Sequence, residues 1–378
     1  MPLFDIARAV VDQFHRDVIP VLKRRGWRPR VVAYDGYGTS ADQPDGADMA
    51  RVLARMVLRP VDAPTEGPLF RSLPERRPSS AAEVIDNARI SLADAQRGWR
   101  LFIDAPVPFL PVTITVGRAR IRTRADREGY VDVVVRGHGL GPGWHDAVID
   151  ASGAGRSSAR VLVVGPEPTL GIISDIDDTA MISHVPRILV AAWNQLVKYS
   201  SAREPVPGMA RLYRRVQQAH GGAPVFYVST GAWNVMPTLR AFFARHGFPE
   251  GPALMTDWGP TNTGWFRSGI EHKRTELRRL MIDLPQVRWL LVGDDGQHDP
   301  LIYGEVAREH ADRVAAVAIR RLSATEQVLA GGITAHPMGI GPAAKTLAEA
   351  DVPVVTGANG FELASRLPTA IGGGGAGG

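Results

Sequence analysis

Leu170-Gly171-Ile172-Ile173-Ser174-Asp175-Ile176-Asp177-Asp178-Thr179 is a short apolar run that breaks abruptly into hydroxyl and carboxylate side chains. The run has no polar alternation, which suits a strand covered on both faces. Four more runs of the same texture follow, Val225–Val228, Trp289–Val292, Val314–Ile319 and Val352–Val355, with helical stretches between them. Continuous β-branched-rich runs separated by helices predict an α/β fold: a parallel sheet with helices on both faces.

Polar clusters follow three of these runs directly. Ser174–Thr179 ends the first, Ser229-Thr230-Gly231 ends the second, and Gly293-Asp294-Asp295-Gly296-Gln297-His298-Asp299 ends the third. Ligands of open α/β sheets bind outside the carboxyl ends of the strands, so the three clusters are expected to converge on one site. Asp175, Asp177, Asp294 and Asp299 offer hard oxygen ligands suited to Mg2+. The chain has no cysteine, and few histidines lie near these motifs, which argues against a Zn2+ centre. Packed carboxylates repel one another and call for a cation. A carboxylate can attack phosphorus, and a second one two residues on can protonate the leaving group and then activate water. Ser229 can hydrogen-bond a phosphoryl oxygen, and Lys273, one of only four lysines in the chain, can neutralise the same group.

Asp175-Ile176-Asp177-Asp178-Thr179 resembles the DxDxT signature of the haloacid dehalogenase (HAD) phosphatase superfamily. Ser229, Lys273 and Asp294/Asp299 stand in the order of that superfamily's second, third and fourth motifs. More narrowly, residues 168–322 resemble the actin-patch-type phosphatidate phosphatase catalytic domain. The likeness rests on Ser174–Thr179, on Phe226-Tyr227-Val228-Ser229 leading to Trp233-Asn234, on His272-Lys273, on Leu291–Asp299, on Tyr303-Gly304-Glu305 and on Ile319-Arg320. Tyr34-Asp35-Gly36-Tyr37-Gly38-Thr39 resembles an N-terminal marker of the same bacterial relatives. Two positions depart from the pattern: Asp295 stands where the family more often has Ser, and Ala232 where it has Pro.

The resemblance implies a Rossmann-like HAD sheet with a minimal cap. It implies phosphomonoester hydrolysis through an aspartyl-phosphate, with phosphatidate as substrate and diacylglycerol and phosphate as products. In that scheme Asp175 is nucleophile and Mg2+ ligand. Asp177 is general acid/base and a Mg2+ ligand through its carbonyl. Thr179 and Ser229 position phosphate and nucleophile, Lys273 stabilises the phosphoryl group, Asp294 ligates Mg2+ and Asp299 supports that ligand. Thr230, Gly231, Trp233 and Asn234 are the candidate substrate-binding residues, with core packing an equal reading of Trp233. An acid at position 177 favours a phosphatase over the superfamily's ATPases. His298 reads as solvated or in the surroundings of the metal, and Arg267 and His272 as surface groups. A phosphatase for a soluble or protein phosphate is the alternative, and a non-catalytic membrane or protein adaptor is a second one.

Forty-nine residues separate Thr179 from Ser229, and 43 separate Ser229 from Lys273, which leaves no room for a large lid after the core helices. Val185–Ala192 is mostly apolar, and either touches a bilayer beside the site or packs on the sheet.

The remainder has a different texture. Apolar residues at spacings of three and four mark a helix within residues 3–22, which either lies on a membrane or packs on its own domain. Short β-type runs follow at Arg30–Tyr34, Val112–Val116, Ile121–Thr123, Tyr130–Val135, Ala147–Ile149 and Arg160–Val164, punctuated by Pro and Gly. They predict a small antiparallel, sandwich-like domain, with a loop over Pro60–Ala81. The expected organisation is therefore an N-terminal amphipathic helix (1–28), a β-rich domain (29–165), a HAD-like catalytic domain (166–369) and a flexible Gly-rich tail (370–378).

The 378 residues are 44% apolar, a soluble globular composition that excludes a mostly disordered chain. No apolar run of eighteen residues and no signal-peptide core occurs, so the expectation is a cytoplasmic protein, peripheral at a membrane if its substrate is a lipid. Residues 1–165 hold 24 Lys+Arg against 19 Asp+Glu, whereas residues 166–378 hold 20 of each. That surplus reads either as an Arg-rich coding bias or as attraction to an anionic membrane surface. No basic-aromatic stripe or known module points to nucleic acid.

Overall fold

Eight strands form one sheet in the first part of the computed structural model, which describes residues 19–43, 48–60, 105–182, 204–256, 269–296, 298–323, 326–327, 347 and 351–372. The strands are β1 (Arg28–Thr39), β2 (Met49–Arg59), β3 (Ala105–Pro106), β4 (Pro111–Val116), β5 (Ala119–Arg124), β6 (Tyr130–Arg136), β7 (Gly143–Ala151) and β8 (Gly155–Val164). Their order is β3-β2-β1-β8-β7-β4-β5, with β6 pairing β2, so hydrogen bonding joins one sheet where the sequence suggests two stacked ones. The pairs β2–β3, β4–β5 and β4–β7 are antiparallel. Strand β2 escapes the sequence reading because almost every residue of it is buried, so it lacks the alternation that marks a half-buried strand. Strands β7 and β8 alternate as expected: Ala147, Ile149, Ala159 and Val161 are buried while their neighbours face solvent.

The chain divides into two units, residues 1–36, 50–139 and 145–161 in one, and residues 37–49, 140–144 and 162–378 in the other. The second unit is built on β9 (Thr169–Ser174), β12 (Val225–Ala232), β13 (Ala253–Thr256), β14 (Val287–Asp294), β15 (Val314–Arg320) and β16 (Val354–Gly357). All five neighbouring pairs in this sheet are parallel. The order is β13-β12-β9-β14-β15-β16, so the chain steps outward one way from β9 and then returns to lay β14 on its other side. That reversal leaves a crevice at the carboxyl ends of β9 and β14. Every residue of β15 is buried, as are most of β9 and β14, which requires cover on both faces. The last strand begins later than expected because Pro353 has no N–H to donate; only its carbonyl joins, accepting from Val317 N at 2.9 Å.

The covering helices are α1 (Met209–Ala219), α2 (Met236–Arg245), α3 (Gly269–Asp283), α4 (Asp299–Glu309), α5 (Gly360–Arg366) and α6 (Thr369–Gly372). A short pair, β10 (Met181–Ile182) and β11 (Glu204–Pro205), is antiparallel. Helix α1 turns Met209, Leu212, Tyr213 and Val216 inward, an i, i+3, i+4, i+7 stripe. Aromatic rings fill the core of this unit. Phe226 meets Trp289 edge-on at 5.6 Å and Tyr37 edge-on at 5.4 Å. Tyr37, from the Tyr34–Thr39 marker, also donates to Asp283 Oδ2 at 2.7 Å, so part of that marker is a packing element of the second unit.

Among the described residues no helix is long and apolar enough to cross a membrane. The amphipathic stripe as far as residue 18, residues 61–81 of the expected loop, the apolar segment 185–192 and residues 373–378 of the tail lie outside the described residues. Phe226→Ala removes the ring that joins Tyr37 to Trp289; it is expected to lower stability by about 3–5 kcal/mol in urea unfolding.

Candidate active site

The β9 strand ends at Ser174, and the chain enters the Asp175–Thr179 loop with Asp175 N bonded to Val292 O at 2.9 Å. This bond ties the loop to β14, whose last residue is Asp294. Ser174 Oγ donates to the Asp175 carbonyl at 2.5 Å and lies 2.6 Å from Tyr213 Oη, so α1 buttresses the loop from below. Burial pushes the Tyr213 phenol above its ordinary value, which keeps it a neutral partner.

Lys273 reaches the crevice from the first turns of α3. Its Nζ donates to Asp175 Oδ1 at 2.7 Å and to Asp299 Oδ1 at 2.6 Å. All three side chains are buried. Asp299 opens α4, and its other oxygen accepts from Asp294 N at 3.4 Å. Position 293 must be glycine here: a Cβ would fall on the Asp299 carboxylate and lie 2.7 Å from the Tyr303 ring. Asp294 accepts from Gly296 N at 2.7 Å through Oδ1.

Asp175, Asp294 and Asp299 each offer an oxygen within 4.8 Å of the others, a cluster able to hold a metal ion. Asp175 Oδ2 and Asp294 Oδ2 are buried without a hydrogen-bond partner. Orphaned anionic oxygens cost free energy, which a divalent cation at Asp294 and a reacting group at Asp175 would relieve. Electrostatics point the same way. Burial pushes the Asp175 carboxyl up to about 7, with Lys273 opposing and Asp299 and Asp177 reinforcing the shift. Burial, then the Asp299 and Asp175 charges, hold Asp294 well above the ordinary carboxylate range. Burial works against the charge on Lys273, but Asp175 and Asp299 outweigh it and raise the ammonium above its usual value.

The second polar cluster arrives as expected. Ser229 is buried near the end of β12, and its Oγ donates to Asp177 Oδ2 at 3.4 Å while accepting from Gly231 N at 2.9 Å. Asp177 is half-buried. Thr179 is fully buried and its hydroxyl is uncommitted. Thr230 is exposed, and its side chain lies where a Cβ on Gly269, the first residue of α3, would come within 2.6 Å. Trp233 is buried, in line with packing; the Asn234 side chain and Arg267 fall outside the described residues.

Three further positions are settled by their contacts. Asp295 is half-buried and accepts from Leu322 N at 2.8 Å, so it braces the chain after β15 and stands outside the acidic cluster. Burial raises its carboxyl, with the Leu322 bond opposing. His272, read from sequence as a surface group, is buried with Nε2 3.4 Å from the Leu254 carbonyl; its place on the inner face of α3 beside Lys273 accounts for this. His298 is exposed at the cap position of α4 and lies outside the acidic cluster.

Arg320 is the residue to which sequence reading gave no role. It is buried at the end of β15, and its guanidinium donates to the Asp178 carbonyl at 2.7 Å, to Glu326 Oε1 at 2.6 Å and to the Ala358 carbonyl at 3.2 Å. Asp178 has φ +58°, a left-handed backbone that a non-glycine residue adopts only when held. Arg320 is the holder. An arginine closing an otherwise apolar strand run is the signal that marks it.

Residues 170–321 match the family described as "Phosphatidate phosphatase APP1, catalytic domain". Two curated relatives match part of the chain. Phosphatidate phosphatase APP1 of Saccharomyces cerevisiae is 24% identical over 152 residues, covering 40% of this chain and 26% of its own. An uncharacterized protein of Schizosaccharomyces pombe is 27% identical over 155 residues, covering 40% and 25%. The chain thus spans about a quarter of the length of the curated relatives it matches. Among solved structures, a 2,6-sialyltransferase from Photobacterium sp. JT-ISH-224 aligns over 66% of this chain and 49% of its own at 8% identity, with a TM-score of 0.24, too low to indicate a shared fold.

Because Asp175 lies above its unfolded value of 3.8, its contribution to folding is fully present below that pH and is lost as pH rises through about 7. A cation bound at the cluster would replace the proton. Mg2+ is therefore expected to raise the melting temperature more at pH 8 than at pH 5 in a thermal-shift titration. An equal shift at both values would contradict the linkage.

Proposed function

We propose that the protein is a Mg2+-dependent phosphomonoester hydrolase of the HAD type, acting on phosphatidate through a phosphoryl group carried by Asp175. The observation that supports this most is the division of labour at Asp175: Lys273 holds one carboxylate oxygen at 2.7 Å, and the other is buried and unpartnered. Such a carboxylate is oriented and has one oxygen free to react. The match of residues 170–321 to a phosphatidate phosphatase catalytic domain supports the substrate class, and the strand order supports a Rossmann-like, HAD-type sheet.

Asp175, Asp294 and Asp299 fit a hard divalent ion as a set of buried oxygen donors, with the Asp177 carbonyl as a further ligand. Bound Mg2+ would screen the carboxylates and withdraw charge from the phosphoryl oxygens. In the first step Asp175 Oδ2 forms a bond to phosphorus while the ester P–O bond breaks. Asp177, as the acid, gives its proton to the departing alcohol oxygen, yielding diacylglycerol. In the second step the Asp177 carboxylate takes a proton from water, whose oxygen attacks phosphorus. Phosphate leaves and Asp175 is regenerated. Ser229 and Thr179 orient the phosphoryl oxygens. Lys273 opposes the effect of burial on Asp175 and offsets charge in the transition state. Thr230 and Asn234 are assigned to the headgroup, Gly231 shapes their loop, and Trp233 supports it from the core.

This reading moves the expected bounds: the catalytic domain, beneath a minimal cap, takes residues 37–49, 140–144 and 162–372, the last helix running to Gly372, and the β-rich domain keeps residues 28–36, 50–139 and 145–161, with residues 1–27 as terminal helix and 373–378 as tail. It places the enzyme in the cytoplasm, peripheral to a membrane. The test is phosphate release from phosphatidate in detergent micelles, with a soluble aryl phosphate assayed in parallel. Release should require Mg2+, fall to background in Asp175→Asn, and drop about 10²–10⁴-fold in Asp177→Asn. Release from the aryl phosphate alone would keep the chemistry and replace the lipid by a soluble phosphate. Full activity in Asp175→Asn would overturn the assignment.

A further inference from the structure

Strand β5 ends the path of the eight-stranded sheet and carries Arg120, Arg122 and Arg124 at alternate positions. Period two puts the three side chains on one face, and all are exposed. Their partners across β4 are Thr115, Thr113 and Pro111, so no carboxylate faces them there. The next strand brings Asp150 opposite Thr113, but Asp150 pairs with Arg156 at 3.6 Å, and Asp146 accepts from Ser158 at 3.0 Å. The face therefore keeps a surplus of arginine.

Phe109 stands at the end of this row. It is 54% exposed and has φ +56°, a strained backbone for a bulky residue. The strain is held in place: Phe109 N donates to the Asp126 carbonyl at 3.2 Å, and its own carbonyl accepts from Arg124 Nη1 at 3.3 Å. The ring is thus fixed outward by the last arginine of the row. Charges on a terminal strand deter edge pairing, but that need does not explain a clamped, outward phenyl ring. Arginines beside an exposed aromatic ring are the composition of a bilayer-interface contact.

We propose that the Arg120–Arg122–Arg124 face and the Phe109 tip form a docking surface for an anionic lipid bilayer. The arginines meet the headgroup charge and the phenyl ring enters the interface. Its use in delivering a lipid substrate rests on the function proposed above; the binding itself does not.

The test is co-sedimentation of the full chain with phosphatidylcholine vesicles, with and without phosphatidylserine, which carries charge but no phosphomonoester. Binding is expected only with phosphatidylserine and should weaken with salt. Joint replacement Arg120→Glu, Arg122→Glu and Arg124→Glu keeps the edge charged and should lower partitioning by at least about 100-fold. The three Lys replacements should retain binding, because charge and not guanidinium geometry is used. Phe109→Gly fits the backbone and should cost about tenfold. Aryl phosphate turnover and melting temperature should stay unchanged throughout. Absence of binding at low salt, or wild-type binding by the Glu variant, would overturn the proposal. Arginine-dependent binding by a protein inactive on every phosphate would leave this surface standing and remove the enzymatic reading instead.

Discussion

A buried ammonium between two buried carboxylates sets the terms for the rest of the second unit. Lys273 lies within 2.7 Å of both Asp175 and Asp299, and all three are withdrawn from water. Isolated, each charge would be too costly to bury; together they tolerate it because every ammonium contact is a charge-assisted hydrogen bond. Three carboxylates against one lysine still leave negative charge in excess, counting Asp294. The imbalance is what makes the site receptive to a cation and to a reaction in which charge moves.

The sheet exists, in functional terms, to bring these groups to one place. Asp175 and Asp294 sit at the ends of neighbouring strands β9 and β14, joined by the Asp175 N to Val292 O bond. Lys273 comes from the second turn of α3, which follows β13, and Asp299 opens α4, which follows β14. Around them runs a second layer of contacts that fixes the backbone: Tyr213 and Ser174 below the loop, Tyr303 on the Val292 carbonyl at 3.0 Å, and Arg320 on the Asp178 carbonyl. Arg320 matters because Asp178 holds a left-handed backbone between Asp177 and Thr179. Its three acceptors lie in three separate segments, so the β15 end acts as a clasp on the 175–179 loop.

Much of this was legible in the sequence because buried parallel strands advertise themselves as unbroken apolar runs and their ends as sudden polar clusters. Asp175, Ser229, Asp294 and Asp299 were readable for that reason, and Lys273 by its rarity and by the resemblance. Residues 49–59 were not, since Arg51, Arg55 and Arg59 interrupt a strand that is nearly all buried; the Arg51 charge is met by Asp132 at 2.8 Å, a partner 81 residues away that sequence cannot reveal. The same limit applies to Arg320, whose acceptors are two backbone carbonyls and the Glu326 carboxylate, and to His272, whose burial depends on which face of α3 turns inward. Asp295 adjoins Asp294 and stands where the family more often has Ser. Its contact with Leu322 N places it in the support of a loop.

The central claim is that Asp175 becomes covalently phosphorylated during turnover. Enzyme quenched in acid during phosphatidate hydrolysis, reduced with borohydride and mapped by peptide mass spectrometry reads this directly, since an acyl phosphate is reduced to the alcohol and a free carboxylate is not. The account predicts a homoserine at position 175, formed only when substrate is present. Active turnover with Asp175 unmodified under conditions that trap acyl phosphates would contradict it.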